Sequence, residues 1–201
     1  MAVDNKLERK HSRRGLKIVG VDEVGRGAWA GPVTVGVVLY CEELTIPVLN
    51  DSKKLNEKQR NAVYSDISAL SIPWAVGECS SREIDKYGLS KSLHIAALRA
   101  FDALAMPFDI VLLDGNYDYI NLNSDNFRVE THIKGDGISV SMAAASVVAK
   151  VTRDHAMVKR REARRYQWTT NKGYATLDHQ KLVKEHGLSS LHRKSVTIES
   201  R

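Results

Sequence analysis

The sequence predicts an α/β fold, and three observations support this prediction. Short runs rich in β-branched residues cluster in the first 40 residues. Further along the chain, apolar runs alternate with stretches whose apolar residues recur every three or four positions, the pattern of strands alternating with helices. Acidic residues stand at or just after the ends of three predicted strands, which is where open α/β sheets build their sites.

The first elements follow from local composition. Residues 1–15 are polar and basic without an apolar period, and we expect a flexible arm there. Residues 16–22 and 33–40 are rich in β-branched side chains and predict two strands joined by a glycine-containing loop. Asn56, with Gln59 three positions later, predicts the start of a helix through a capping box.

Strands and helices alternate through the middle of the chain. Residues 74–79 predict a strand, and Ser80 with Glu83 forms a capping box for a short helix. Residues 89–105 carry apolar side chains at helical spacing and predict a longer helix. Residues 110–113 form a continuous apolar run, typical of a strand buried on both faces.

The last third of the chain continues this alternation. Residues 128–133 alternate polar and apolar side chains and predict a strand. Residues 139–165 predict one long helix or a broken pair, with a run of small residues suited to close packing. Residues 176–186 predict a final helix, for which Gly187 is the C-terminal cap.

Composition and charge exclude several classes. The 201 residues carry a formal net charge of +6, with an acidic centre between basic ends. Basic ends attract a polyanion through its phosphates, although solvated basic surfaces explain the charge equally well. No apolar run approaches the length of a membrane span, and the start lacks a signal-peptide core. Cys41 and Cys79 are isolated, so we expect reduced thiols in a cytoplasmic protein without membrane association.

Four acids form the strongest functional signal. Asp22 and Glu23 precede a Gly-Arg-Gly loop, Asp114 ends an apolar run, and Asp136 follows the last strand. Clustered carboxylates are the ligands that hard divalent cations prefer, and two such ions can hold a phosphodiester for hydrolysis. Neighbouring residues of a regular strand point to opposite faces, so we expect the strand to break or bulge at Glu23.

Several sequence blocks together resemble bacterial ribonuclease HII, a type 2 ribonuclease H. The resemblance extends from about residue 17 to residue 196, in order and at compatible spacing. Its blocks are GVDEVGRG from Gly20, AGPV from Ala30, NDSKKL from Asn50, LDGN from Leu113, KGD from Lys134, AAASVVAKVTRD from Ala143, KGY from Lys172 and HRKS from His192.

The resemblance implies a ribonuclease H-like fold with a five-stranded mixed sheet flanked by helices. Its catalytic domain would span residues 16–168, and residues 169–201 would form a small helical C-terminal lobe. The implied activity is hydrolysis of the RNA strand in RNA–DNA hybrids, including cuts 5′ to single ribonucleotides embedded in duplex DNA. The products would carry 3′-hydroxyl and 5′-phosphate ends. We expect a monomer, and the sequence leaves recruitment by a replication clamp open.

The resemblance also implies roles for individual residues. Asp22, Glu23, Asp114 and Asp136 would be the catalytic acids and the ligands of Mg²⁺ or Mn²⁺. The backbone of the loop at Gly25, Arg26 and Gly27 would read the ribose 2′-hydroxyl, and Tyr174 would stack on the sugar that follows. Four cationic side chains are candidate phosphate contacts: Lys53, Lys54, Lys150 and Arg153.

The sequence departs from the usual pattern of the resemblance at three places. Ala28-Trp29, Asn171 and Val196 differ from the residues common there, which affects substrate preference more than chemistry.

Two other functions stay open. A metal-dependent nuclease of the same broad fold, such as a resolvase acting on DNA junctions, would have similar acids. A non-catalytic RNA- or hybrid-binding module is the other alternative, although a central cluster of acids opposes phosphate binding. No serine-hydrolase or zinc-protease motif is present.

Overall fold

A five-stranded sheet forms the centre of the computed structural model, which describes residues 3–50, 52–120 and 127–197. Its strands are β1 (Ile18–Val24), β2 (Val33–Leu39), β3 (Trp74–Cys79), β4 (Ile110–Asp114) and β5 (Arg128–His132). They lie in the order β3-β2-β1-β4-β5. β2 pairs antiparallel with β1 and β3, whereas β4 pairs parallel with β1 and β5. The expected five-stranded mixed sheet is therefore confirmed.

Eight helices lie within the described residues. They are α1 (Lys6–Ser12), α2 (Glu57–Ala69), α3 (Ser81–Tyr87), α4 (Leu89–Leu104), α5 (Val140–Val158), α6 (Trp168–Asn171), α7 (Leu177–His186) and α8 (Lys194–Thr197). The capping boxes predicted at Asn56 and Ser80 are both present, and Gly187 caps α7 with a positive φ. No helix of this described part is long and apolar enough to cross a membrane.

Two hydrophobic clusters cover the two faces of the sheet. On one face α3 and α4 pack their apolar residues against β2 and β3. On the other face α2 and α5 pack against the sheet. The central strand β4 is buried along its apolar residues, as its continuous apolar run predicts. This layering holds the carboxyl ends of β1 and β4 rigidly in place.

Helix α5 lies unusually close to the sheet because two glycines face it. A Cβ on Gly20 would lie 2.2 Å from the backbone carbon of Ser141, and one on Gly36 would lie 2.5 Å from the carbonyl oxygen of Ala145. Any larger residue at either position would push the helix away. The glycines therefore set the distance from α5 to β1 and β2, and with it the position of every side chain on that helix face.

The expected flexible arm is wrong for the described residues before Leu16. Residues 6–12 form α1, and its Glu8 side chain is fully buried. The Glu8 carboxylate accepts hydrogen bonds from the backbone N–H of Ser141 at 2.9 Å and from its hydroxyl at 2.8 Å. It also accepts one from the hydroxyl of Ser139, the N-cap of α5. A buried carboxylate at a helix N-terminus is stabilised by these donors, so α1 is docked.

Other expectations also need adjustment. Strand β1 continues without a break through Glu23 and Val24, which pair in register with β2. The predicted break at Glu23 is therefore wrong. The helix predicted over residues 139–165 ends at Val158. The boundary of the C-terminal lobe stays a prediction, because Met157 and Tyr166, which precede it, share a small core with Trp168. Asp51, in the NDSKKL block, and residues 198–201, at the end of the predicted lobe, lie outside the described residues.

Candidate active site

Three carboxylates converge at one edge of the sheet. Asp22 lies on β1, Asp114 ends β4, and Asp136 lies in a 3₁₀ turn that follows β5. Since β4 is parallel to both β1 and β5, the carboxyl ends of these strands meet at the same edge. One oxygen from each of the three acids lies within 4.8 Å of the others. Three separate elements thus contribute to one compact group.

Local hydrogen bonds orient these acids. The Asp114 Oδ1 accepts the backbone N–H of Gly135 at 2.6 Å, which ties the end of β4 to the turn that carries Asp136. The Asp22 Oδ1 accepts the backbone N–H of Glu23 at 2.7 Å. The exposed Lys53 places its Nζ 3.6 Å from the Oδ2 of Asp136, as a cation beside the group. The acids are therefore held in position by the backbone.

Two buried serines support Asp22 and were not singled out from the sequence. The hydroxyl of Ser146 on α5 hydrogen-bonds to Asp22, and its Oγ lies 2.7 Å from the Oγ of Ser52. Both serines lie in blocks that carry the family resemblance. Only the fold shows that these blocks, about a hundred residues apart, meet behind one carboxylate.

The electrostatics of the group favour a cation. Burial raises the pKa of Asp22 well above its usual value, and the negative charges of Glu23 and Asp114 raise it further. Without metal, the contribution of Asp22 to stability is therefore lost as the pH rises through this raised pKa. A divalent cation offsets the repulsion, and carboxylate oxygens are the ligands that Mg²⁺ and Mn²⁺ prefer. The residues thus fit the metal site that the sequence predicts.

Glu23 lies beside this group without belonging to it. Because β1 is regular there, its side chain points to the face opposite Asp22. Its Oε1 accepts a hydrogen bond from the Nη1 of Arg26 at 3.1 Å. Glu23 nevertheless borders the same cleft of about 230 Å³ as Asp22 and Asp114. Its role as a metal ligand stays a prediction.

The glycine loop and the predicted tyrosine meet at this cleft. Gly25, Arg26, Gly27 and Tyr174 all line it. Ala28 pairs with Tyr174 in an isolated antiparallel bridge, and the backbone N–H groups of the next two residues donate to the carbonyl of Gly173 at 2.8 and 3.1 Å. These bonds hold the tyrosine beside the loop, on the same cleft as Asp22 and Asp114.

The four cationic candidates have different surroundings. Lys53 and Lys54 are exposed. Lys150 lies with its Nζ 5.2 Å from the centre of the Tyr174 ring and donates to Asp154 at 3.1 Å. The prediction that Arg153 contacts phosphate is contradicted by its surroundings. Its side chain is fully buried, and its guanidinium donates to three backbone carbonyls.

Asn171, one of the departures from the usual pattern, has a structural role. Its side chain donates to the carbonyl of Tyr166 at 2.7 Å and accepts the N–H of Gly173 at 2.8 Å. The turn between these bonds contains Lys172 and Gly173 with positive φ angles. Asn171 therefore stabilises the tight turn that presents Tyr174.

Two buried histidines also hold Tyr174 and were missed from the sequence. The Nδ1 of His192 accepts the N–H of Ser189 at 2.9 Å, so its Nε2 carries the proton in the neutral ring. That proton is donated to the Nε2 of His179 at 3.1 Å, to which Trp168 also donates at 3.2 Å. The Nδ1–H of His179 is then left to donate to the carbonyl of Tyr174 at 2.8 Å. Burial, together with His179, lowers the pKa of His192 to about 4.

Comparisons with known proteins agree with this site. A family model described as Ribonuclease HII matches residues 19–197. Ribonuclease HII of Rickettsia bellii is 42% identical over 181 residues, covering 90% of this chain and 89% of the relative. Ribonuclease HII of Streptomyces avermitilis is 40% identical over 183 residues, covering 90% and 77%.

Solved structures share the fold. Ribonuclease H2 from Pyrococcus horikoshii superposes with a TM-score of 0.73 at 25% identity, covering 90% of this chain and 93% of that one. A PCNA:RNase HII complex from Archaeoglobus fulgidus gives a TM-score of 0.74 at 22% identity, covering 92% and 98%. The expected ribonuclease H-like fold is thereby confirmed.

Replacement of Asp22 by Asn tests the metal site. It removes one of three mutually repelling charges at nearly constant volume, so we expect unfolding in EDTA at neutral pH to cost about 1 kcal/mol more than in wild type. We expect the stabilisation by millimolar Mn²⁺ to be largely lost, because a ligand is missing. Thermal unfolding in EDTA and in Mn²⁺ measures both. Asp102→Asn, which replaces an exposed acid on α4, is the control and should keep the wild-type stabilisation by Mn²⁺. Equal Mn²⁺ stabilisation of Asp22→Asn and wild type would contradict the assignment of Asp22 as a metal ligand.

The buried histidines predict a pH dependence of stability. The folded-state pKa of His192, about 4, lies below the ordinary 6.5, so the unfolded chain binds the proton first as the pH falls. We expect this residue to remove on the order of 3 kcal/mol of unfolding free energy between about pH 7 and pH 4. We measure the free energy of unfolding by urea at several pH values in this range. The slope of this free energy against pH should be shallower for His192→Gln than for wild type. The exposed His155→Gln variant should retain the wild-type slope.

Proposed function

The chain belongs to the ribonuclease HII family, and we propose that it cuts duplexes immediately 5′ to ribonucleotides, single embedded ones included. Membership makes it a ribonuclease H, a divalent-metal-dependent endoribonuclease acting on the RNA of RNA–DNA hybrids. The proposal adds the position of the cut and its products, a 3′-hydroxyl and a 5′-phosphate. It also adds the roles of the individual residues.

One observation carries the proposal: Asp22 and Asp114, two of the three clustered carboxylates, line the same cleft as the glycine loop and Tyr174. Divalent cations bound by Asp22, Asp114 and Asp136 would supply Lewis-acid stabilisation of the phosphodiester. Mg²⁺ and Mn²⁺ both suit all-oxygen carboxylate sites. Glu23 is proposed as a fourth acidic ligand from its position on the rim of that cleft.

The proposed position of the cut is the one that the resemblance to ribonuclease HII implies, and it decides which bond breaks. In a cut 5′ to a ribonucleotide, water attacks the phosphorus, and the bond from phosphorus to the upstream 3′-oxygen breaks. The 2′-hydroxyl of the ribonucleotide belongs to the downstream sugar, so it takes no part in the displacement. Its role is recognition alone, and only this group distinguishes RNA from DNA at that position.

Neutral donors and an aromatic ring are suited to that recognition. Backbone N–H groups of the loop from Gly25 to Gly27 can approach a sugar closely, because glycine has no side chain to prevent it. Tyr174 would stack on the next sugar, where a second 2′-hydroxyl would collide with its ring. Lys53 beside Asp136, and the exposed Lys54, are placed to attract the phosphates. Lys150 is proposed in the same role through its position next to Tyr174.

Family membership distinguishes this function from the two alternatives. A nuclease acting on DNA junctions has no use for a glycine loop and a tyrosine that sense ribose beside its carboxylates. A non-catalytic binding module gains nothing from three acids that repel phosphate. Action as a monomer and recruitment by a replication clamp stay predictions, because the PCNA-containing relative shows the fold alone.

Cleavage of matched duplexes tests the proposal. We expect cutting of a DNA duplex bearing one ribonucleotide in Mg²⁺ or Mn²⁺, with the ends mapped to a 3′-hydroxyl and a 5′-phosphate, and none in EDTA. Asp114→Asn should lower the rate at least about a hundredfold, since a metal ligand is lost. Equal cutting of an all-DNA duplex would favour the junction nuclease, and binding without cutting in several metals would favour the non-catalytic module.

Replacement of Tyr174 by Ala tests the junction role. Loss of one stacking ring is worth about 1–3 kcal/mol, so we expect kcat/KM on the single-ribonucleotide duplex to fall roughly tenfold or more. Cutting inside long hybrids should fall much less, because every sugar of the cleaved strand there is a ribose. Tyr87→Ala, an exposed tyrosine on α3, serves as the control. Equal losses on both substrates would remove Tyr174 from the proposed role.

A further inference from the structure

Two fully buried arginines hold the loop that follows Gly25 from the inside. Arg153 on α5 donates from Nε to the carbonyl of Pro32 at 3.0 Å and from Nη2 to that of Ala30 at 3.1 Å. Arg193 donates from Nε to the carbonyl of Gly31 at 3.0 Å and from Nη1 to that of Arg26 at 3.0 Å. Burying a guanidinium is costly unless its N–H groups are bonded, and these four carbonyls offset part of that cost.

The backbone around Arg193 ties it to the same loop. Its own N–H donates to the carbonyl of Trp29 at 2.8 Å, and the N–H of Gly31 donates to the carbonyl of Leu191 at 2.9 Å. His192 pairs with Ala30 in an isolated antiparallel bridge. The segment from Leu191 to Arg193 therefore lies along the loop. These backbone bonds fix the position from which the Arg193 side chain extends.

The bond to the Arg26 carbonyl has a geometric consequence for the next residue. A trans peptide is planar, so the C=O of Arg26 and the N–H of Gly27 point in opposite directions. Arg193 holds that carbonyl toward the interior, and the Gly27 N–H must therefore point away from it. Gly27 lies on the cleft, and a Cβ there would meet nothing within 4 Å. The space beside Gly27 is therefore open on the cleft side, where its outward N–H can meet a sugar.

We propose that Arg193 is a positioning residue for ribose recognition, because it fixes the peptide that presents the Gly27 N–H to the 2′-hydroxyl. This inference rests on the proposed function and deepens it. In this role Arg193 acts on recognition through the Arg26 carbonyl, without touching the substrate. Burial lowers the pKa of Arg193 to about 10, so it remains protonated at neutral pH and both donors are present.

Replacement of Arg193 by Lys tests this role. The single ammonium group cannot reproduce the two-pronged contact with the carbonyls of Gly31 and Arg26. Binding is measured by fluorescence anisotropy in Mg²⁺, in an Asp22→Asn background that prevents cutting. Two duplexes are compared, one with a single ribonucleotide and one with deoxyribose at the same position. The Kd of the all-DNA duplex divided by the Kd of the ribonucleotide duplex reports the reading of the 2′-hydroxyl.

We expect Arg193→Lys to reduce this ratio by about fivefold or more through weaker binding of the ribonucleotide duplex, while affinity for the all-DNA duplex stays nearly constant. Arg99→Lys is the matched control, since it makes the same substitution at an arginine that bonds the Glu78 carbonyl and the Glu83 carboxylate, outside the cleft. Its ratio should equal that of the parent protein.

The outcomes separate the inference from its premise. Parent protein that binds both duplexes equally would overturn the proposed ribose recognition itself. A discriminating parent with an unchanged ratio in Arg193→Lys, or with an equal loss in Arg99→Lys, would overturn the positioning role alone. If Arg193→Lys does not fold, Arg193→Gln, which removes the buried charge and retains an N–H donor, is measured in its place. Failure of both variants to fold would assign Arg193 to folding only and would refute the inference.

Discussion

Repulsion among three carboxylates is the constraint on which the rest of this structure depends. Asp22 and Asp136 are buried, and Asp114 is held by the N–H of Gly135, so the acids cannot relieve their repulsion by turning into water. The sheet prevents it as well, because β1 and β4 are paired up to this edge. Protonation of Asp22, whose pKa is raised, and bound cations are the remaining means of compensation, so metal binding is coupled to the stability of the fold.

Helix α5 transmits this constraint to the rest of the site. Gly20 and Gly36 let it approach the sheet closely, which places Ser146 next to Asp22. Lys150 and Arg153 follow four and seven positions later, so they share its face. They reach the Tyr174 ring and the glycine loop, about 10 Å along the helix. One helix face therefore connects the carboxylates, the loop and the tyrosine, and a shift of α5 would disturb all three together.

The parts of this structure that depend on local sequence could be predicted, and the parts that depend on distant contacts could not. Asn56 and Ser80 form the predicted capping boxes because each involves residues only three apart. The helix α1 was missed because its stabilising contact joins Glu8 to Ser141, 133 residues away. The strand break expected at Glu23 does not occur, because β2 continues to pair with β1 there. Arg153 was misjudged because no local pattern reveals that distant loop carbonyls surround it.

Different groups serve the proposed sugar recognition and the metal chemistry. Buried arginines hold the loop backbone that would recognise the sugar, and the carboxylates are left to bind the metal. The Arg26 carbonyl turns inward to the Arg193 guanidinium, so the N–H of Gly27 in the same peptide turns outward to the cleft. This outward donor is neutral, and this matters beside an anionic centre. A cationic side chain reading the hydroxyl would instead be drawn to the carboxylates, as Arg26 is drawn to Glu23 at 3.1 Å. Backbone donors held from behind by buried charge can bind a sugar hydroxyl without competing with the metal for its ligands.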